Sequence, residues 1–452
     1  MNLLNSLNIS KIKLFLITFL VVSFIFLFDL KSEYFQFRFL ILILLIPSTI
    51  KLLKDVREKN FKFLKLFFIL FVILFFHIGL NIYYEKNQLT NYSLFGSIFL
   101  IFVFTISYYY FDFINRNIDL INQLFIIIFL LSCVISIFFY QPDAPYFCGG
   151  IPNFFYSDVF LEKYGDRVGD VRLSFKEFIF LENSHLGMIA PSVIIYSIYK
   201  VASKEISVTK IFLLSTFIVI CFIKSSTTLY VGTISSLILI ILFNYKSLNQ
   251  KTLISFLILI MLFFITIISN KECRPRFVPM DYNLINDTPT SSDNQKMSED
   301  NKINKDISNK IKTILKTDGN LSSGIYFQAL IIAKESIVEK PFGWGLNRYD
   351  QAFNYYQKLN HKKIDSLISF NNKDGTNNLV KIVVEFGIFA VLFYSLILLF
   401  LINNNISLEL KLFYLPFIIT QSLRGAGYFN GGFALIVFLM LFTYIRVYKK
   451  NI

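Results

Sequence analysis

Histidine is rare in this chain, with three in 452 residues, and cysteine hardly commoner, with four. No Cys/His spacing of the zinc-holding kind occurs, so neither a metal nor a cofactor is expected. Cys133 and Cys221 fall inside apolar runs and read as inert, whereas Cys148 and Cys273 fall in polar stretches. Charged residues make up only 16%, and no basic soluble segment turns the net charge of +14 into a nucleic-acid footprint. A Gly-rich phosphate loop is missing, which excludes the usual nucleotide cradle. Also missing is a small-residue cleavage site after the first apolar run, Phe15 to Phe28, which follows Lys11 and Lys13. That run reads as the first helix of the mature protein rather than as a signal peptide. The halves do not repeat, and no matched pair of Gly/Pro-broken spans marks an inverted-repeat transporter.

What the sequence has is apolar length. Hydrophobic residues are 55% of the chain, and they come in long unbroken runs. A run of about 18 or more such residues reads as a membrane span. Spans are expected at 13–30, 37–53, 63–83, 94–113, 120–139, 185–201, 210–224, 228–243, 253–269, 379–402, 412–423 and 429–447. Lysine and arginine gather in the short stretches 51–65, 200–210 and 246–251 and at Arg446, Lys449 and Lys450. With about twelve crossings these all fall on the cytoplasmic side, as do both termini. The expected fold is all-α: a polytopic transmembrane bundle of about 12 helices, GT-C-like, with two large external loops.

Those loops are 141–184 and 270–378. They divide the chain into N-terminal helices (1–140), central helices (185–269) and C-terminal helices (379–452). From Asp287 to Asn320 the second loop is rich in Asn, Asp, Ser and Lys and reads as a mobile spur. Ser322 to Glu339 reads as a helix, with Tyr326, Leu330 and Ala333 on one face and Pro341 and Gly343 ending it. In an oxidising outer compartment Cys148 and Cys273 would tie the two loops together.

The distribution of arginine is informative. Lysine supplies most of the cytoplasmic charge, helped by Arg57, Arg116 and Arg446, whereas Arg167, Arg172, Arg274, Arg276, Arg348 and Arg424 fall in or beside external loops. That runs against the positive-inside expectation. A planar, permanently charged fork suits phosphate oxygens, so an outward Arg cluster suits a diphosphate at headgroup level. The bland alternative is pairing with Asp166, Asp170 and Glu272.

Three segments carry a resemblance. Arg172 precedes a short amphipathic stretch, Glu182-Asn183-Ser184-His185 and then a span. Glu339-Lys340-Pro341-Phe342-Gly343-Trp344-Gly345 leads to Arg348 and Asp350. Gly375-Thr376-Asn377-Asn378 leads to Glu385-Phe386-Gly387. Together they resemble the family of O-antigen polymerases and ligases, with its Asn-containing turn, its Pro-x-Gly-x-Gly turn and its turn before a helix bearing Glu-x-Gly. Thr376 stands where the ligase branch carries the His taken as its base, which favours the polymerase branch.

The resemblance implies an enzyme of the bacterial inner membrane that joins undecaprenyl-diphosphate-linked oligosaccharide repeats at the outer face, with lipid diphosphate leaving and no metal taking part. Its partners would be that glycan, membrane lipids and a chain-length regulator protein. Base candidates are Glu182, His185 and Asp350. Glu182 read blandly is a helix cap and His185 an interface histidine. Diphosphate-binding candidates are Arg172, Arg274, Arg276, Arg348 and Arg424, and glycan-binding candidates are Trp344 and Asn377. Trp344, the single tryptophan, reads equally as a membrane-interface residue. Glu385, an ionisable residue inside an apolar run, reads as functional or as part of a polar network. The rival readings are a ligase that moves the glycan to lipid A core or protein, and a flippase of the lipid-linked oligosaccharide.

Overall fold

The structure, a computed structural model, describes residues 2–28, 36–85, 91–139, 146–147, 151–152, 180, 183–203, 207–224, 226–269, 321–359, 372–373, 375–425 and 427–450. Its helices are α1 Asn2–Ile25, α2 Leu45–Arg57, α3 Lys62–Glu85, α4 Asn91–Arg116, α5 Ile118–Phe139, α6 Asn183–Ser203, α7 Val208–Lys224 and α8 Thr227–Asn244. They continue with α9 Gln250–Ser269, α10 Leu321–Glu339, α11 Tyr349–Leu359, α12 Asn378–Phe386, α13 Phe389–Ile402, α14 Leu408–Leu423 and α15 Phe433–Lys450. Among the described residues one two-stranded pairing joins Tyr146–Phe147 to Ile151–Pro152.

Among the described residues, five helical segments are long and apolar enough to cross a membrane: Lys62–Leu80, Leu94–Arg116, Ile118–Ile135, Ser184–Ser203 and Thr227–Ser247. Large side chains such as Phe68, Phe75, Phe95 and Phe212 point outward. In water such an exterior would be an aggregation surface. Apolar helices with an apolar exterior suit a bilayer, where each helix satisfies its own backbone polar groups.

α6, α8 and α14 pack against one another at the centre, α15 lies along α4, and α10 and α11 pack on α12. Ser192 of α6 donates to the Phe413 carbonyl of α14 at 2.8 Å. α8 approaches α14 closely at Gly232, where a Cβ would fall 2.4 Å from the Thr420 methyl. Small residues at such crossings let backbones meet.

Two segments expected to be uniform are not. The stretch 37–53 opens as a 3-10 helix, Phe37–Leu44, before α2. Pro47, in the first turn of α2, lacks an N–H and crowds the carbonyl four residues back, which disfavours α geometry there. The stretch 379–402 is two helices, α12 and α13, broken at Gly387 (φ 54°). α11 is a helix inside the stretch 270–378, which the sequence reads as loop there. The spur 287–320 lies outside the described residues.

Polar groups collect at the two ends of the bundle. At one end Lys200 meets Glu409 at 2.9 Å and Asp119 at 3.2 Å, and Tyr196 donates to Asp119 at 2.7 Å. Buried Lys411 there donates to Asn244 Oδ1 at 2.6 Å and to the Leu401 carbonyl at 2.8 Å, closing the last turn of α13. Arg446 pairs with Asp112 at the same end. The other end holds the break at Gly387.

Gly232→Val should force α8 from α14 and cost about 1–3 kcal/mol by overpacking. Thermal unfolding in detergent reads this, and adding Thr420→Ala to the variant should recover part of the loss.

Candidate functional site

The break at Gly387 builds the site. α12 is nine residues long and leaves carbonyls open at its end. The turn Pro341–Gly345 meets them: Trp344 N–H donates to the Val384 carbonyl and Gly345 N–H to the Glu385 carbonyl, both at 2.9 Å. In return Ile388 N–H donates to the Pro341 carbonyl at 2.8 Å. The backbones come so close that a Cβ on Gly343 would lie 2.3 Å from the Glu385 carbonyl oxygen, and one on Gly387 2.1 Å from that of Pro341. Both glycines also hold positive φ, so the Pro-x-Gly-x-Gly and Glu-x-Gly spacings are two halves of one clasp.

The Glu385 side chain, fully buried, completes it. Its carboxylate accepts from Asn347 N–H at 2.8 Å, from Tyr349 N–H at 3.1 Å and from the Tyr428 hydroxyl. The Lys381 ammonium stands 3.7 Å away and also donates to the Lys373 carbonyl at 2.7 Å. A buried carboxylate with this many donors is satisfied, and it is a strut rather than an idle charge. It grips the peptide on both sides of Arg348 and fixes where α11 begins.

Arg348 is buried, and its carbonyl accepts from Gln351 N–H at 3.1 Å as α11 starts. Burial pulls its guanidinium below its ordinary pKa, and the nearby Asp350 carboxylate pulls it back up. Asp350, half-buried, accepts from Gln351 N–H at 2.9 Å in the first turn of α11, where a carboxylate is favoured. Arg424 ends α14, half-buried, with its backbone N–H on the Thr420 carbonyl at 2.8 Å. Among the described residues its guanidinium has no hydrogen bond or ion pair. The next residue, Gly425, donates its N–H to the Thr376 carbonyl at 3.2 Å. Arg424 is thereby attached to the turn that opens α12.

In that turn Thr376 holds φ 66°, a conformation that a β-branched residue rarely adopts. Asn377 caps α12, its Oδ1 accepting from Val380 N–H at 2.7 Å. Through Tyr428 and Gly425 the 424–432 loop joins the Arg348 turn to the Asn377 turn. Arg348, Asp350, Arg424 and Asn377 thus share one scaffold. His185, half-buried in the first turn of α6, packs its ring 5.6 Å from that of Phe28 at the same end.

Trp344 is placed differently from expectation. It is buried, with the Lys340 ammonium 4.0 Å above its ring and Tyr355 and Tyr356 against it. It belongs to the small core formed by α10, α11 and α12, so its ring is neither a sugar platform nor a membrane-interface anchor. Glu182, Arg172, Arg274, Arg276, Cys148 and Cys273 lie outside the described residues. Among the described residues no group of three His, Cys, Asp or Glu is placed to hold a metal.

Sequence reading missed Lys381, Tyr428 and His77. His77, on the otherwise outward-facing α3, stacks on Phe386 at 4.8 Å, with Nε2 3.2 Å from the Phe342 carbonyl oxygen. The signal was available: it is a histidine inside an apolar run. Tyr428 carried none beyond its neighbouring glycines.

Glu385→Ala should cost about 3–5 kcal/mol, because it strands a buried ammonium. Tyr428→Phe, which leaves the backbone donors in place, should cost about 2 kcal/mol. Thermal unfolding of the purified variants checks both values and their order.

Comparison with protein-family models, with curated proteins and with solved structures finds no match to the chain.

Proposed function

We propose that the chain polymerises lipid-linked glycan repeats at the outer face of a bacterial inner membrane. The observation that carries this reading is that the backbones bearing two arginines are fastened to the two ends of α12, one through Glu385 and one through the Thr376 turn. Arg348 is gripped through Glu385, and Arg424, with no partner among the described residues, is tied to the cap of α12. Preorganised guanidinium groups in a site that excludes water stabilise a departing diphosphate strongly.

The topology behind the proposal has twelve crossings, α12 and α13 together making one of them. The Lys200, Lys411 and Arg446 end is then cytoplasmic, with both termini, and the Glu385 end is external. Lipid diphosphate lies at headgroup level, beside the break at Gly387. The acceptor sugar's hydroxyl loses its proton to a base and attacks the anomeric carbon of the donor. The new glycosidic C–O bond forms as the bond to the diphosphate breaks, and the lipid diphosphate leaves with its charge on the arginines. Asp350 is the favoured base among Asp350, His185 and Glu182, because it stands in the first turn of α11, two residues from Arg348. Arg172, Arg274 and Arg276 complete the proposed diphosphate set. The donor is already activated, so neither nucleotide nor metal is called for. Thr376 in place of a histidine supports polymerase over ligase.

Reconstituted protein supplied with an undecaprenyl-diphosphate-linked repeat should produce a ladder of products. Arg424→Gln should slow it about 10²–10³-fold while the protein still inserts. A ladder from Arg348→Gln and Arg424→Gln at the wild-type rate would refute the assignment.

A further inference from the structure

α10 does not suit the water that its place in the chain implies. It lies in the stretch 270–378, outside the expected spans, and one side of it packs on α12 through Ala329, Ile332 and Ala333. Its other side leaves Ile331, Ile337 and Val338 exposed, Val338 by 75%. Ile331 and Val338, seven residues apart, share one face of the helix. Lys334 is exposed on that face too, and a lysine stem runs along apolar surface while its ammonium reaches headgroups. A helix apolar on both sides is covered on both.

Beside it there is room for a ligand. A groove of about 520 Å³ runs along α13, with Ile337 of α10 on one side, Pro341 and Gly387 of the clasp at its head, and Val391 and Leu398 further along. Ligand sites commonly measure about 300–1,000 Å³. The lining is apolar apart from the hydroxyls of Tyr394 and Ser395, and no charged residue belongs to it. Val391 and Leu398 are half exposed or more, so the groove opens on the outward face of the bundle.

The length of the groove indicates its occupant. The helical rise from Gly387 to Leu398 is about 16 Å, and one leaflet of a hydrocarbon core is about 15 Å deep. A phospholipid acyl chain spans that depth. An undecaprenyl diphosphate fits less well, because its chain outruns a leaflet and its charged head needs a cation that the lining does not supply.

We propose that the last two turns of α10 sit in the leaflet at the Glu385 end of the bundle, and that the groove between α10 and α13 seats one acyl chain of a bilayer phospholipid. This site is separate from the glycan chemistry and does not rest on it.

Trp344, the single tryptophan, reports on the groove. Its N–H is bonded to the Val384 carbonyl, next to Val383, which lines the groove. The full chain is reconstituted in phosphatidylcholine vesicles whose acyl chains carry bromine, either near the glycerol or near the terminal methyl. Bromine near the glycerol should quench Trp344 emission more than bromine near the methyl end. Ser395→Phe, which fills the groove, should lose most of that quenching, and Leu392→Phe, exposed on α13 outside the groove, should keep it. No quenching in the wild type, the reverse order of the two lipids, or equal quenching in the two variants would overturn the proposal. So would recovery of emission on adding a small fraction of undecaprenyl phosphate, since a prenyl chain would then be the occupant. The wild-type lipid series and the competition stand even if Ser395→Phe does not fold.

Discussion

Within the apolar bundle a carboxylate without solvent exposure, that of Glu385, holds three separate stretches of chain in one arrangement. It reaches the 341–349 turn through two backbone N–H groups, the 424–432 loop through Tyr428, and its own helix through Lys381. A charge taken out of water persists only when its donors are supplied in full. Meeting that demand requires the break at Gly387, the glycines of the clasp and the placement of Arg348. His77 adds a fourth stretch by pressing α3 onto Phe386.

The consequence is a division of labour between the ends of the bundle. At one end ion pairs join α5, α6 and α14 in the manner of ordinary helix ends, and the buried cations Lys200 and Lys411 both have acceptors. At the other, the cation of Arg424 and the amides of Asn378 are without protein partners among the described residues. The Arg424 cation is the group on which the proposed polymerase rests, because a lipid diphosphate would supply the acceptor that the described residues do not.

Much of the helical framework was legible in sequence because it is written in length and hydropathy. The runs around Leu70, Phe104 and Ile128 have no alternative but helix. The break at Gly387 was not legible as a break. Val383 to Leu401 is almost wholly apolar, and what interrupts it is a hydrogen-bonded turn more than forty residues earlier in the chain. The motifs on either side, Pro341-Phe342-Gly343 and Glu385-Phe386-Gly387, were visible, but not that they clasp each other. Trp344 misled because an isolated tryptophan near a membrane has a familiar use, whereas many of its core partners lie on α11, inside the stretch 270–378 that reads as external loop. Ala352, Phe353 and Tyr356 already had the spacing of a buried helical face.

The central claim is that Arg348 and Arg424 hold one diphosphate between them. Phosphorus-31 NMR of undecaprenyl diphosphate in nanodiscs tests it directly, with and without the protein. The account predicts that the wild type shifts and broadens both phosphorus resonances and that the Arg348→Gln, Arg424→Gln double variant leaves them as in lipid alone. The same perturbation from the double variant, or none from the wild type, would contradict it.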